Sequence, residues 1–88
     1  MLQLLIRNTV TDPAKWKEVY DAHSEDRSNA GLGQLQIWND VSDANTIWGL
    51  YSVSDQSRAQ EHLDDAKTKM VDDRAGVQSS EYHFLKTA

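Results

Sequence analysis

Residues Gln34 to Val53 read QLQIWNDVSDANTIWGLYSV. Two runs rich in β-branched and aromatic residues flank a polar cluster, Asn39 to Asn45. That arrangement predicts a β-hairpin with a long loop. A strand pattern followed by a helical pattern precedes it, and a helical pattern followed by a strand pattern succeeds it. The chain therefore reads β-α-hairpin-α-β.

Leu2 to Val10 is the first strand, with Leu2, Leu4, Ile6 and Val10 on one face by period two. The other face carries Gln3, Leu5, Arg7 and Thr9. Thr11-Asp12-Pro13 starts a helix: Asp12 caps free N–H groups and Pro13 suits the first helical position. The helix is expected to run to about Ala30, with Trp16, Val19, Tyr20, His23, Arg27 and Ala30 forming one stripe. Lys15, Lys17, Glu18, Glu25 and Asp26 fall mostly outside it, and Gly31 caps its end.

The hairpin strands run from about Gln34 to Asn39 and from Thr46 to Val53. Alternation puts Leu35 and Ile37 on one face of the first. In the second, Trp48 and Leu50 oppose Ile47, Tyr51 and Val53. Gly49 marks a bulge or room for a ligand. Ser54-Asp55 caps the next helical stretch, whose stripe is Ala59, Leu63, Ala66 and Met70. Asp64-Asp65 is read as a break that divides it into two helices, and Gly76 as the stop. The last strand is Ser80 to Lys86, with Tyr82 and Phe84 on one face and Glu81, His83 and Leu85 on the other.

Eighty-eight residues make one domain, spanning 1–88, with a thin core. A chain of this size buries only about 60–65% of its unfolded surface. With no cysteine, neither disulfides nor thiolate metal sites form, which suits a cytoplasmic location. No apolar run is long enough to span a membrane, and Leu2 to Ile6 is too short for a signal-peptide core. A net charge of −5 argues against nucleic acid and anionic membranes as partners.

The element order favours an α+β fold: an antiparallel sheet with helices on one face, in the ferredoxin-like βαββαβ topology. Helices cover one side of such a sheet. Yet large apolar residues occupy both parities of the strands, as in Leu4 and Leu5, Ile37 and Trp38, Ile47 and Trp48, Phe84 and Leu85. A solvated face would alternate cleanly with polar residues. The uncovered face is therefore expected to meet a second copy of the chain, giving a homodimer.

With these elements placed, the chain resembles the dimeric α/β barrel superfamily over nearly its whole length. The carriers are Ile6-Arg7 leading into Thr11-Asp12-Pro13-Ala14-Lys15-Trp16, then Arg27 and Gly31, the apolar third strand before Ser54, Ala59, and Met70 to Gly76. The resemblance implies sheets packed face to face into a barrel, and a ligand cleft between sheet and helices in each subunit. The superfamily includes cofactor-free monooxygenases of aromatic quinols, polyketide cyclases and haem-degrading enzymes. Haem-degrading members use an Asn in strand one, a Trp in strand three and a His in the second helical region. Asn8, Trp48 and His62 have those identities, but the matching Trp would stand near the end of strand three, where Tyr51 and Ser52 lie.

His23 and Arg27 lie one turn apart on the stripe of the first helix. One reading is a catalytic pair, in which Arg27 binds an enolate or carboxylate and His23 moves a proton. The other is structural: Arg27 covers the core edge with its stem and His23 bonds a neighbour. Tyr51 and Tyr20 either donate into the same cleft or serve as core aromatics. Trp16 is either one wall of an aromatic box or a helix-to-sheet anchor, and Trp38 and Trp48 are interface anchors in the second reading. Asn8 stands behind this set. His62, among Glu61, Asp64 and Asp65, and the pair Asp72-Asp73 read as solvated surface. No nucleophile elbow, phosphate loop, zinc spacing or dinucleotide turn is present, so neither a cofactor nor a metal is expected.

The expectation for function is a small-molecule cleft for an aromatic or polyketide-like compound, with catalytic His23, Arg27 and Tyr51 and substrate-binding Trp16, Tyr20 and Asn8. Cofactor-independent monooxygenation or cyclisation is the activity the resemblance implies. A non-catalytic binding module is the alternative, and haem degradation a third.

Overall fold

A computed structural model describes residues 1–88. The elements are β1 (Leu2–Val10), α1 (Pro13–Ala22), α2 (Ser24–Asn29), β2 (Leu32–Asn39), β3 (Thr46–Val53), α3 (Gln56–Asp64), α4 (Ala66–Arg74) and β4 (Val77–Lys86). The strands form one sheet in the order β2-β3-β1-β4, every pairing antiparallel. The helices lie on one face, so the architecture is the expected ferredoxin-like α+β fold.

Each helix start has a carboxylate behind it. Asp12 accepts from the N–H groups of Ala14 at 3.0 Å and Lys15 at 3.3 Å. Asp55 does the same for Ser57 and Arg58. Asp65 ends α3 and caps α4 by accepting from Lys67 N–H at 2.8 Å, so the expected break is real. Gly31 and Gly76 close the two helical pairs with φ of 77° and 79°, a conformation that costs a residue with a Cβ.

The first helix differs from expectation. It stops at Ala22, and α2 begins after His23. In a continuous helix the Tyr20 carbonyl would accept from Ser24. Instead it accepts from His23 N–H at 3.2 Å and from the Arg27 guanidinium at 2.8 Å. A side chain inserted at the end of the ladder breaks the helix there. The stripe survives the break: Trp16, Tyr20 and Ala30 are buried and Val19, His23 and Arg27 are half-buried.

The core lies between the sheet and the helices. Leu4 and Val10 from β1, Leu32 from β2, and Ile47, Tyr51 and Val53 from β3 meet Trp16, Tyr20, Ala59, Leu63 and Ala75. The expected faces of β3 hold. Those of β2 do not, because the register slips between Gln34 and Gln36. Gln34 stands opposite Tyr51 and Gln36 opposite Leu50, which leaves Leu35 as the extra residue of a bulge. Leu35 is consequently exposed while Ile37 packs against the core, so the two do not share an environment.

The hairpin loop is built on two aspartates. Asp40 accepts from Ser42 N–H and Oγ and from the Trp48 indole, each at 2.9 Å. The Trp48 indole, with help from Ser42, holds the Asp40 carboxyl down at about 2. Asp43 accepts from Asn45 N–H and the Thr46 hydroxyl, each at 2.9 Å.

The opposite face of the sheet carries no helix. Leu5 on β1 pairs with Leu50 on β3 and His83 on β4, and Arg7 with Trp48 and Glu81. Trp38, Leu35 and Leu85 are 42%, 45% and 45% exposed there. No helix is long and apolar enough to cross a membrane.

Candidate functional site

Between the helical layer and the sheet lies a cavity of about 270 Å³. Its walls come from every layer of the fold. Ile6 and Asn8 enter from β1, Leu32 from β2, Tyr51 from β3 and Tyr82 from β4. Trp16, Val19, Tyr20, His23, Asp26 and Arg27 face it from the first helical pair, and His62, Leu63, Thr68, Val71 and Asp72 from the second. The exposed Asn29, Asp65 and Lys67 stand at its edge. All six site residues expected from sequence, namely His23, Arg27, Tyr51, Trp16, Tyr20 and Asn8, line this one cavity.

The aromatic wall is ordered by direct contacts. Trp16 and Tyr20 stack with centroids 4.6 Å apart. The Arg27 guanidinium lies 3.5 Å from the Tyr20 ring centroid, on the ring's face, and its hold on the Tyr20 carbonyl fixes it there. The Tyr20 hydroxyl donates to Gln34 Oε1 at 2.7 Å. Tyr51 is 3% exposed, and burial pushes its phenol up, with the Tyr20 hydroxyl adding to the effect.

Tyr51 owes its place to Gly49. A Cβ at Gly49 would stand 2.7 Å from Tyr51 Oη and 2.9 Å from Cε2. The gap expected beside Gly49 is thus filled by the chain's own tyrosine rather than by a bulge or a ligand.

The polar groups divide into partnered and unpartnered. His23 Nδ1 lies 3.1 Å from Asp26 Oδ2, and Lys67 Nζ lies 3.7 Å from Asp26 Oδ1. The His23 bond, followed by Lys67, draws the Asp26 carboxyl below its usual range. Asn8 Oδ1 accepts from the Ser80 hydroxyl at 2.6 Å. Trp48 lies on the far side of the sheet, bonded to Asp40, so Asn8, Trp48 and His62 do not converge. No group of three or more His, Asp or Glu side chains is arranged to hold a metal ion.

Two residues read from sequence as surface, His62 and Asp72, belong to the cavity, and so does Asp26, expected mostly outside the helix stripe. Burial lowers the His62 imidazole below its ordinary value. Burial, with Asp73 second, pushes the Asp72 carboxyl up to about 6. Asp72 reads as surface when the stripe Ala59-Leu63-Ala66-Met70 is continued unbroken through Asp65. The break resets the phase, and α4 turns Thr68, Val71, Asp72 and Ala75 inward, leaving Met70 61% exposed. Counting afresh from the new cap at Asp65 would have found it.

A raised carboxyl is a stability liability with a defined pH range. A group whose folded value lies above its unfolded one contributes nothing adverse below the unfolded value, and its cost grows as pH rises through the folded value. For Asp72 that window runs from 3.8 to about 6. Taken at face value the displacement is ~3 kcal/mol. The carboxyl is partly in water, and screening brings this to about 1 kcal/mol. Asp72→Asn is therefore expected to raise the melting temperature by about 4–8 °C at pH 7 and to leave it unchanged at pH 3. Equal gains at both pH values, or none, would show that the carboxyl is not desolvated.

No protein-family model and no curated protein sequence matches the chain. Solved structures match its fold end to end. SnoaB from Streptomyces nogalater, a cofactor-independent oxygenase, superposes with a TM-score of 0.73 at 13% identity, over 99% of this chain and 92% of that one. An antibiotic biosynthesis monooxygenase superposes with a TM-score of 0.66 at 14% identity, over 100% of this chain and 99% of that one. A NIPSNAP domain protein from Burkholderia xenovorans does so with a TM-score of 0.69 at 15% identity, over 100% and 95%. At these identities the likeness is one of fold, and a shared fold hosts many chemistries. The chain has the ferredoxin-like α+β fold seen in antibiotic-biosynthesis-monooxygenase-like and NIPSNAP proteins.

Proposed function

We propose that this chain forms a cytoplasmic homodimer, paired through the open sheet face, whose subunits each bind a small aromatic or polyketide-like molecule between sheet and helices. Its activity in this reading is a cofactor-independent oxygenation or a cyclisation. The observation that carries the reading is the cavity itself: an aromatic and aliphatic lining with a few polar groups aimed into it, at a size suited to a small planar molecule. The fold shared with a cofactor-independent oxygenase makes that chemistry the first to test.

In this reading Trp16 and Tyr20 bind the flat body of the ligand, and Asn8 and Tyr51 offer polar atoms on the sheet side. Arg27 keeps guanidinium donors beyond the one that holds the Tyr20 carbonyl, and these stabilise an oxyanion on the ligand. His23 is oriented by Asp26, in the manner of a base held by a third group, and relays the proton.

The test is His23→Ala combined with Arg27→Ala, assayed against a panel of aromatic and polyketide-like compounds. The expected result is a folded protein whose turnover of any accepted compound falls at least about a hundredfold, the scale of general acid–base catalysis. Unaltered turnover would remove both residues from the site.

One observation favours a second reading, a non-catalytic binding module. Arg27 and His23 each already have a protein partner, as purely structural residues would. In that case the panel yields bound compounds and no product. Haem degradation is the third reading, and its triad is the one the sheet separates. A spectrum after haem addition that shows no Soret shift would eliminate it.

A further inference from the structure

We infer that Asp72, alongside His23, exchanges a proton with the ligand, and that this ligand is a planar neutral molecule bearing a phenol or enol hydroxyl. The inference rests on the proposed reading of the cavity as a ligand site. It deepens that reading by naming the ligand's functional group and the residue that meets it.

The carboxylates around the cavity are not equivalent. Asp26 is taken by His23 and Lys67, and Asp65 by the N–H of Lys67 that it caps. Asp72 accepts no hydrogen bond from the protein, and its surroundings act on it through burial and the like charge of Asp73 alone. It projects from the inward side of α4, beside Val71 and Ala75. A half-buried carboxylate without a donor is costly, and a ligand hydroxyl removes that cost by donating to it.

The class of ligand follows from what else faces Asp72. Tyr82 on β4 and Tyr51 on β3 both feel its charge, which raises each phenol further. These rings, with Trp16 and Tyr20, suit a planar apolar body. Tyr51 also feels Arg27, and His62 feels Arg27, Asp26 and Asp65. Cations therefore already stand on the α2 side, with Arg27 on the face of Tyr20 and Lys67 at the edge. A cationic ligand would meet Arg27, and a carboxylate ligand would meet Asp72. A neutral hydroxyl donor avoids both conflicts.

Proton exchange is balanced within the pair. The ligand O–H bond breaks, an O–H bond forms on Asp72, and the negative charge passes from the carboxylate to the ligand oxygen. A carboxyl pushed up to about 6 accepts such a proton more readily than an ordinary aspartate. The ligand oxyanion then lies in the field of Arg27.

The experiment uses the whole chain with two probes, para-nitrophenol and benzylamine. Carbon-detected NMR follows the aspartate carboxyls, and probe-induced shifts are read at Val71, Tyr51 and Tyr82. One aspartate, assigned to Asp72, is expected to titrate near 6. Para-nitrophenol shifts the cavity signals, and its affinity weakens about tenfold for each pH unit below that titration, as one linked proton requires. Asp72→Asn abolishes this acid limb. Asp73→Asn, at an exposed neighbour, keeps it.

An acid limb that persists in Asp72→Asn overturns the assignment while leaving the aromatic cavity standing. So does an Asp72 that titrates with the surface aspartates. Benzylamine binding without para-nitrophenol binding overturns the hydroxyl class in favour of an amine. If neither probe moves a cavity signal at any pH, both the inference and the ligand-site reading fall.

Discussion

Sedimentation of the wild-type chain at micromolar concentration is expected to give a particle of about twice 10.0 kDa, and Leu50→Asp is expected to return it to the monomer. The open face of the sheet is the reason. Leu50 lies on β3 and faces Leu5 on β1 in register, so the pair occupies the middle strands of a sheet ordered β2-β3-β1-β4. Trp48 is next along β3, and Trp38, Leu35 and Leu85 stand around them with two-fifths or more of their surface exposed. Each large apolar side chain fully removed from water contributes about 1.5–3 kcal/mol. The charges on this face come with partners. Arg7 lies 3.4 Å from Glu81 and 5.8 Å from the Trp48 ring centroid, and His83 lies 3.9 Å from Glu81. An interface formed here therefore buries no isolated charge.

Leu50→Asp changes that. A carboxylate at the centre of a closed interface would be desolvated and would approach its own copy across the two-fold axis. An unpaired buried charge costs several kcal/mol, so the dissociation constant should rise by about a thousandfold or more. In the monomer the same carboxylate sits on an open face and costs little. Val41→Asp is the control, since Val41 is fully exposed on the hairpin loop and its change should leave the dimer intact. A wild-type particle of 10.0 kDa under these conditions would refute the pairing and remove the barrel from the proposed function.

What the sequence revealed and what it concealed divide along a physical line. Local chemistry was legible. Asp12 and Asp55 announced helix starts through capping, Asp64-Asp65 announced a break, and Gly31 and Gly76 announced stops. The period-two faces of β1 and β3 were legible for the same reason, because both are set by neighbours in sequence. The faces of β2 were not. A bulge at Leu35 depends on how β2 pairs with β3, and no residue in β2 encodes that alone. The break at His23 was equally hidden, since it depends on a guanidinium returning to a carbonyl seven residues earlier. Four of the six expected site residues, Trp16, Tyr20, His23 and Arg27, came together because they share the stripe of the first helical pair, and Asn8 and Tyr51 joined them from β1 and β3. Asp72 was lost because the phase of α4 was carried across a helix boundary.

Gly49→Ala is expected to destabilise the chain by about 2–3 kcal/mol and to lower its melting temperature by roughly 10 °C or more, although it adds only a methyl group. The backbone of Gly49 has no need of glycine on conformational grounds, for its φ is not positive. The constraint is the Tyr51 ring, whose Oη, Cε2 and Cζ would stand 2.7, 2.9 and 3.0 Å from the new Cβ. Tyr51 is 3% exposed and rigid beyond χ2, so it cannot yield by a local rotation. Its ring must lift from the sheet into the cavity that it now lines. The substitution thus couples stability to ligand volume: the same movement that strains the core also reduces the space beside Trp16 and Tyr20. A double-mutant cycle isolates the contact. Tyr51→Val should lose stability by itself through the cavity it leaves, yet Gly49→Ala should then cost almost nothing further, because the atoms it strikes are gone. Strictly additive losses would mean that Gly49 is required for some reason other than the seat of Tyr51.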